Sequence, residues 1–221
     1  MAPLLSIALA LIQNVADLGR VFVAPSHEPP AITFYFQNRH EETSLALLDE
    51  HDAVKPDALK ELSHFVRCWR TQREKPMHPR LVEIVAALSR HFGDARIEVV
   101  SGYRARPYGA PHSKHFLGRA MDIHLNGIPA KVAARWVWAN FRKVGVGFYP
   151  KQDFMHVDVR DQDVRWVDTS RHGESAHARY FGRPVGEELP EGAPKLAYDT
   201  AAAAAQPAPT AVAMAELPWR N

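Results

Sequence analysis

Cysteine is nearly absent. Cys68 stands alone in 221 residues, which rules out an intrachain disulfide and any zinc site built on thiolates, so a bound metal has to be held by nitrogen and oxygen. An excess of one charge is missing as well. The 27 Lys and Arg against 25 Asp and Glu leave a formal +2, without the concentrated basic surface a phosphate backbone demands, and nucleic acid is excluded as an expected partner. Long apolar runs are also lacking: "MAPLLSIALALI" offers about a dozen residues before Gln13, Asn14, Asp17 and Arg20 interrupt it, too few for an integral membrane span. No Lys or Arg precedes that run, so residues 1–30 read as a candidate signal or leader segment with a weak signature. No internal repeat is visible. Residues 171–221, most clearly the Ala- and Pro-rich text from Glu187 onward, hold little to bury and read as an irregular tail. The remaining stretch, 31–170, has the length of one ordinary domain with its own core.

What the chain does have is histidine, twelve in all, and clear periodicities. "ITFYFQ" alternates, with Ile32, Phe34 and Phe36 on one face, and "SLALLD" reads as its hairpin partner. In "PDALKELSHFVRCWR" Leu59, Leu62, Phe65 and Trp69 fall at helical spacing behind Pro56, and in "PRLVEIVAALSRHFG" Leu81, Ile84, Val85 and Leu88 do the same, with Gly93 as the stop. "RIEVVSGY", "GRAMDIHL", "VGVGFY" and "FMHVDVR" read as strands, and a helix over 129–142 fits between the second and third of these. The expected fold class is α+β: a small, mostly antiparallel sheet with helices on one face.

Side chains alternate across a strand. Met121, Ile123 and Leu125 therefore share a core face and leave Asp122 and His124 on the other, while Met155, Val157 and Val159 leave His156 and Asp158. His115 precedes its strand by "FLG", where Gly118 permits a backbone turn that folds the imidazole back over Asp122. A His-Asp-His cluster is within reach. Gly145 and Gly147 alternate opposite Val144, Val146 and Phe148, which leaves one strand face bare for the close approach of a substrate peptide.

"SGYR" at 101–104, "SxHxxGxAxD" from Ser113 to Asp122 and "GVGFYPKQDFMHVD" ending at Asp158 together resemble the zinc D-Ala-D-Ala peptidase clan, and within it the murein endopeptidases of the bacterial envelope. The likeness runs from about Ile32 to Trp166. It implies a D-Ala-D-Ala peptidase or hedgehog-like fold for 31–170 and a Zn2+ held by His115, Asp122 and His156. Catalytic zinc takes three such ligands and keeps a position open for water, so the donor chemistry agrees. The resemblance implies hydrolysis of cross-link or stem peptide bonds of peptidoglycan, next to diaminopimelate or D-alanine. Because murein lies outside the cytoplasmic membrane, it also implies an exported enzyme of the periplasm or cell envelope. For the general base two carboxylates stay open. The clan's acid three residues before the last ligand corresponds to Asp153, whereas alternation puts Asp158 on the ligand face, where it also suits an imidazole-orienting role. Arg104 corresponds to the clan's site arginine, suited to an oxyanion or a substrate carboxylate. Ser113 is expected to lend a supporting hydrogen bond and His124 to meet substrate or rest as a neutral imidazole; His112 and Lys114 read as loop residues. Only ten residues separate Arg104 from His115, a shorter loop than those endopeptidases carry, which opens the site. The alternative from another class is a zinc-containing binding domain without catalysis, as in hedgehog signalling domains.

Overall fold

The computed structural model describes residues 29–184 and 186–205. The candidate leader, apart from Pro29 and Pro30, and the last part of the tail lie outside the described residues. Strands β1 (Ile32–Phe36) and β2 (Glu41–Leu45) form an antiparallel hairpin, and the alternation of β1 buries Ile32, Phe34 and Phe36. The return strand begins three residues before "SLALLD", because His40 takes a left-handed conformation (φ +54) and the chain reverses early enough to set Glu41 opposite Phe36. Helices α1 (Pro56–Phe65) and α2 (Pro79–His91) each carry proline in the first turn, where its missing N–H forfeits no bond. The helical spacing runs on to Trp69, yet α1 stops at Phe65: the Val66 carbonyl accepts the N–H of Tyr103 at 2.9 Å, so it is lost to a further helical turn.

β3 (Ile97–Ser101), β4 (Ala120–Leu125), α3 (Ala130–Asn140), β5 (Val144–Tyr149) and β6 (Phe154–Val159) lie where the patterns place them, to within two residues at each end. Three further elements follow: β7 (Val164–Asp168), β8 (Ala178–Phe181) and α4 (Ala197–Ala205). The last two fall inside 171–221 and correct its reading as an irregular tail. Their hold comes from polar anchors rather than from an apolar pattern. Arg183, its side chain 7% exposed, donates from Nε to Asp163 at 2.9 Å and from a terminal nitrogen to the Trp138 and Phe141 carbonyls at the end of α3. Arg80 of α2 pairs with Asp199 of α4 at 2.6 Å, and Glu83 accepts the Tyr198 N–H at 3.0 Å.

The eight strands form one sheet in the order β2-β1-β3-β4-β6-β5-β7-β8. The pairs β1/β3 and β5/β7 are parallel and the others antiparallel, so the class is α+β with a largely antiparallel sheet, wider than the small one expected. Met121, Ile123, Leu125, Met155, Val157 and Val159 enter a common core with Leu81, Ile84, Leu88 and Val137 of α2 and α3. Each such buried side chain contributes about 1.5–3 kcal/mol. The face of β4 and β6 turned away from those helices is therefore free to carry polar chemistry. Among the described residues no helix is long and apolar enough to cross a membrane.

Candidate functional site

Asp122 and His156 stand opposite each other in the β4/β6 ladder, on the side away from the core. Both are buried, as is His115, which reaches them from a short 3₁₀ turn at Lys114–Leu117. Two glycines make that reach feasible. Gly118 closes the turn at φ +65, and a Cβ there would run into the Pro76 carbonyl. At Gly102 a Cβ would lie 2.5 Å from Val66, and the carbonyl of Gly102 accepts the His115 Nδ1–H at 2.6 Å. His156 in turn donates from Nε2 to Asp158 at 2.9 Å. One nitrogen of each ring is thus engaged by an acceptor, and the other is directed into the cluster.

Those inward nitrogens converge with one carboxylate oxygen. His115 Nε2 lies 3.2 Å from His156 Nδ1 and 3.3 Å from Asp122 Oδ1, and His156 Nδ1 lies 2.8 Å from the same oxygen. Zinc bonds of about 2.1 Å in tetrahedral array set donor atoms about 3.4 Å apart, so the spacing suits a small divalent cation. Electrostatics agree with that donor set. Burial opposes ionisation of Asp122, but His115 and Arg104, with hydrogen bonds from both imidazoles, hold its carboxyl well below the usual range. Burial opposes a charge on His156 too, yet the bonds to Asp122 and Asp158 push it up to about 9. At His115 burial lowers the value; Asp122 opposes this and Arg104 adds to it. The carboxylates therefore stabilise positive charge at the place where the three donors meet.

The remaining sequence candidates divide. Asp158 joins the cluster: burial works against its charge, but His156 and Arg160 lower it to about 2, and Arg160 binds both of its oxygens. Asp153 does not join. It sits exposed in the β5–β6 turn at φ +49 and does not line the site cavity. Arg104 lies in the loop beyond β3, where one nitrogen pairs with the second oxygen of Asp122 and Nε donates to Ser101 at 2.8 Å. Ser113 lines the cavity, but its hydroxyl makes no hydrogen bond among the described residues. His124 is on the right strand face one register too far along, and it pairs with Glu98 at 2.9 Å, outside the cavity.

Gly145 and Gly147 are buried, which corrects their reading as a bare face for substrate. The space above them is filled by the protein itself: a Cβ on Gly145 would strike Asp158 and Arg160, and one on Gly147 would lie 2.5 Å from the Trp166 indole. Trp166 is the residue the sequence reading missed. Its ring packs 5.0 Å from His156, and its N–H donates to the Tyr149 hydroxyl at 3.1 Å. The alternating glycines were the signal, since absent side chains on a buried strand face imply a neighbour that needs the room. The cavity over the cluster measures about 520 Å³. Its lining includes the basic side chains of Arg104, His112 and Lys114 and the aromatic rings of Tyr149, Phe154, Trp166 and Tyr180.

The profile of the peptidoglycan L,D-endopeptidase MepK family matches residues 24–166. Peptidoglycan L,D-endopeptidase MepK of Escherichia coli strain K12 is 34% identical over 114 residues, 47% of this chain and 62% of the relative. The probable peptidoglycan L,D-endopeptidase MepK of Haemophilus influenzae is 30% identical over 147 residues, 60% of this chain and 76% of the relative. The chain thus spans less than two thirds of the length of the first of these.

Proposed function

Because the chain belongs to the peptidoglycan L,D-endopeptidase MepK family, we propose that it is a zinc metallopeptidase that hydrolyses peptide cross-links or stems of peptidoglycan in the periplasm or cell envelope. The observation that carries this is the convergence of His115 Nε2, Asp122 Oδ1 and His156 Nδ1, each already oriented by a partner of its own. These three atoms are the proposed ligands. When bound, zinc supplies a Lewis acid that lowers the pKa of water and polarises the scissile carbonyl. In the reaction water adds hydroxyl to the carbonyl carbon, the C–N bond breaks, and a proton goes to the leaving amine.

The chain's own groups supply orientation and charge. Gly102 and Asp158 hold the two imidazoles in the tautomers that leave Nε2 of His115 and Nδ1 of His156 free to ligate. Arg104 holds the far oxygen of Asp122 and adds positive charge to the cavity wall, where a substrate carboxylate or a developing oxyanion is favoured. Asp158, with both oxygens engaged, serves as a positioning group, not as the proton acceptor. Asp153 has no step in this scheme. The bond cleaved is taken from the names of the relatives, an L,D linkage.

Digestion of purified muropeptides by the zinc-loaded chain, with product masses as readout, tests the proposal. Cleavage that stops on chelation and is reduced at least a thousandfold in His115→Ala is expected, since removing a ligand removes the ion-dependent term. Undiminished cleavage by that variant overturns it, and a bound ion with no turnover on any murein peptide favours the binding-domain alternative.

A further inference from the structure

The strand registers carry more than the metal cluster. Ser101 pairs with Asp122, Asp122 with His156, His156 with Gly147, Gly147 with Trp166, and Trp166 with Tyr180. These positions form one row across the sheet, from β3 to β8, and share the face that holds the ligands. Within the row Gly147 contributes no side chain, so the Trp166 indole lies over it and touches His156. Tyr180 continues the line, its ring 5.9 Å from Trp166 and the residue 68% exposed at the cavity edge. An aromatic shelf therefore leads outward from the ligands, perpendicular to the strands.

We infer that Trp166 and Tyr180 form a subsite for one arm of the cross-linked peptide, and that Tyr180 sets the preference for substrates extending beyond the scissile bond on that side. The inference rests on the peptidase reading above and adds to it the residues that read substrate length. Three features support it. The shelf is continuous with the ligands, so a chain lying along the row with its reacting carbonyl at the cluster covers both rings. Large amphipathic rings take up apolar stems and backbone at low entropic cost. The shelf is also built in advance: Tyr149 fixes the Trp166 N–H, and Asp168 accepts the N–H groups of Ser170 at 2.9 Å and His177 at 3.1 Å, tying both ends of the β7–β8 loop. β8 lies beyond residue 166, where the shared family segment ends.

The experiment compares zinc-loaded wild type, Tyr180→Ala and Tyr180→Phe on a cross-linked muropeptide dimer and on a minimal fragment cut back to the two residues that flank the scissile bond. For Tyr180→Ala the KM for the dimer is expected to rise about threefold to tenfold, the size of one lost aromatic contact, with kcat unchanged and the fragment cleaved as by wild type. Tyr180→Phe should restore the dimer KM. Equal KM values for wild type and Tyr180→Ala on the dimer overturn the subsite, and so does a loss of equal size on both substrates. If wild type cleaves neither substrate, the peptidase reading fails instead, and metal content measured on the same preparations separates that failure from a failure to load.

Discussion

Replacing Asp158 by Asn keeps the size of the group but removes the charge that His156 and Arg160 both address. Zinc affinity is expected to fall about 10- to 100-fold, because an imidazole loses basicity and orientation when its acceptor is neutral. Competition titration against a chromophoric chelator measures it, and Asp153→Asn, in the exposed turn, should leave the affinity unchanged. At this scale the convergence of His115, Asp122 and His156 was legible. Asp122 and His156 follow from strand alternation, and His115 from a histidine set before a glycine that takes φ +65. The division of labour between the two carboxylates was not, since it depends on which way a four-residue turn directs Asp153 and on Arg160, whose approach to Asp158 needs the room left by Gly145. His124 shows the same limit. Alternation assigns a face, but only the register with Glu98 fixes its neighbours.

Between elements, the contact of α2 with α4 depends on pH through Glu83. Burial raises its pKa, the Tyr198 N–H opposes the rise and Asp199 adds to it, so that the carboxyl is pushed up to about 7. The folded protein therefore holds a proton there that the unfolded chain releases at the ordinary value near 4.5. This contribution to stability is complete below pH 4.5 and is lost as pH rises through 7, by about 3 kcal/mol in all. Glu83→Gln mimics the protonated form. In urea unfolding its stability relative to wild type is expected to increase between pH 4.5 and pH 8, and a constant difference would refute the assignment. α4 was invisible in an Ala- and Pro-rich sequence because its hold on the fold comes from Arg80 and Glu83, more than a hundred residues away. β8 has four residues, mostly exposed, and β7 is barely alternating in burial, so neither carries the pattern that revealed β4, β5 and β6. The core strands were legible for the opposite reason, an apolar trio on one face of each.

For the whole molecule, the segment after β7 is an integral part of the fold, and Arg183 is its chief fastening. Arg183→Ala leaves Asp163 with only the Val144 N–H, takes the side-chain donor from the Trp138 carbonyl and leaves the Phe141 carbonyl with the longer bond from Arg142 alone. A loss of about 3 kcal/mol is expected, seen as a fall in Tm of roughly 6–12 °C by calorimetry. The proposed ion-holding cluster draws on residues 102–158, whereas the exposed ring at 180 comes from a later stretch secured by its own arginine. On the proposed reading, ion retention and reach along a substrate are carried by separate lengths of chain. On that reading, substitutions at the exposed ring of Tyr180 would retune what is gripped without disturbing what does the cutting.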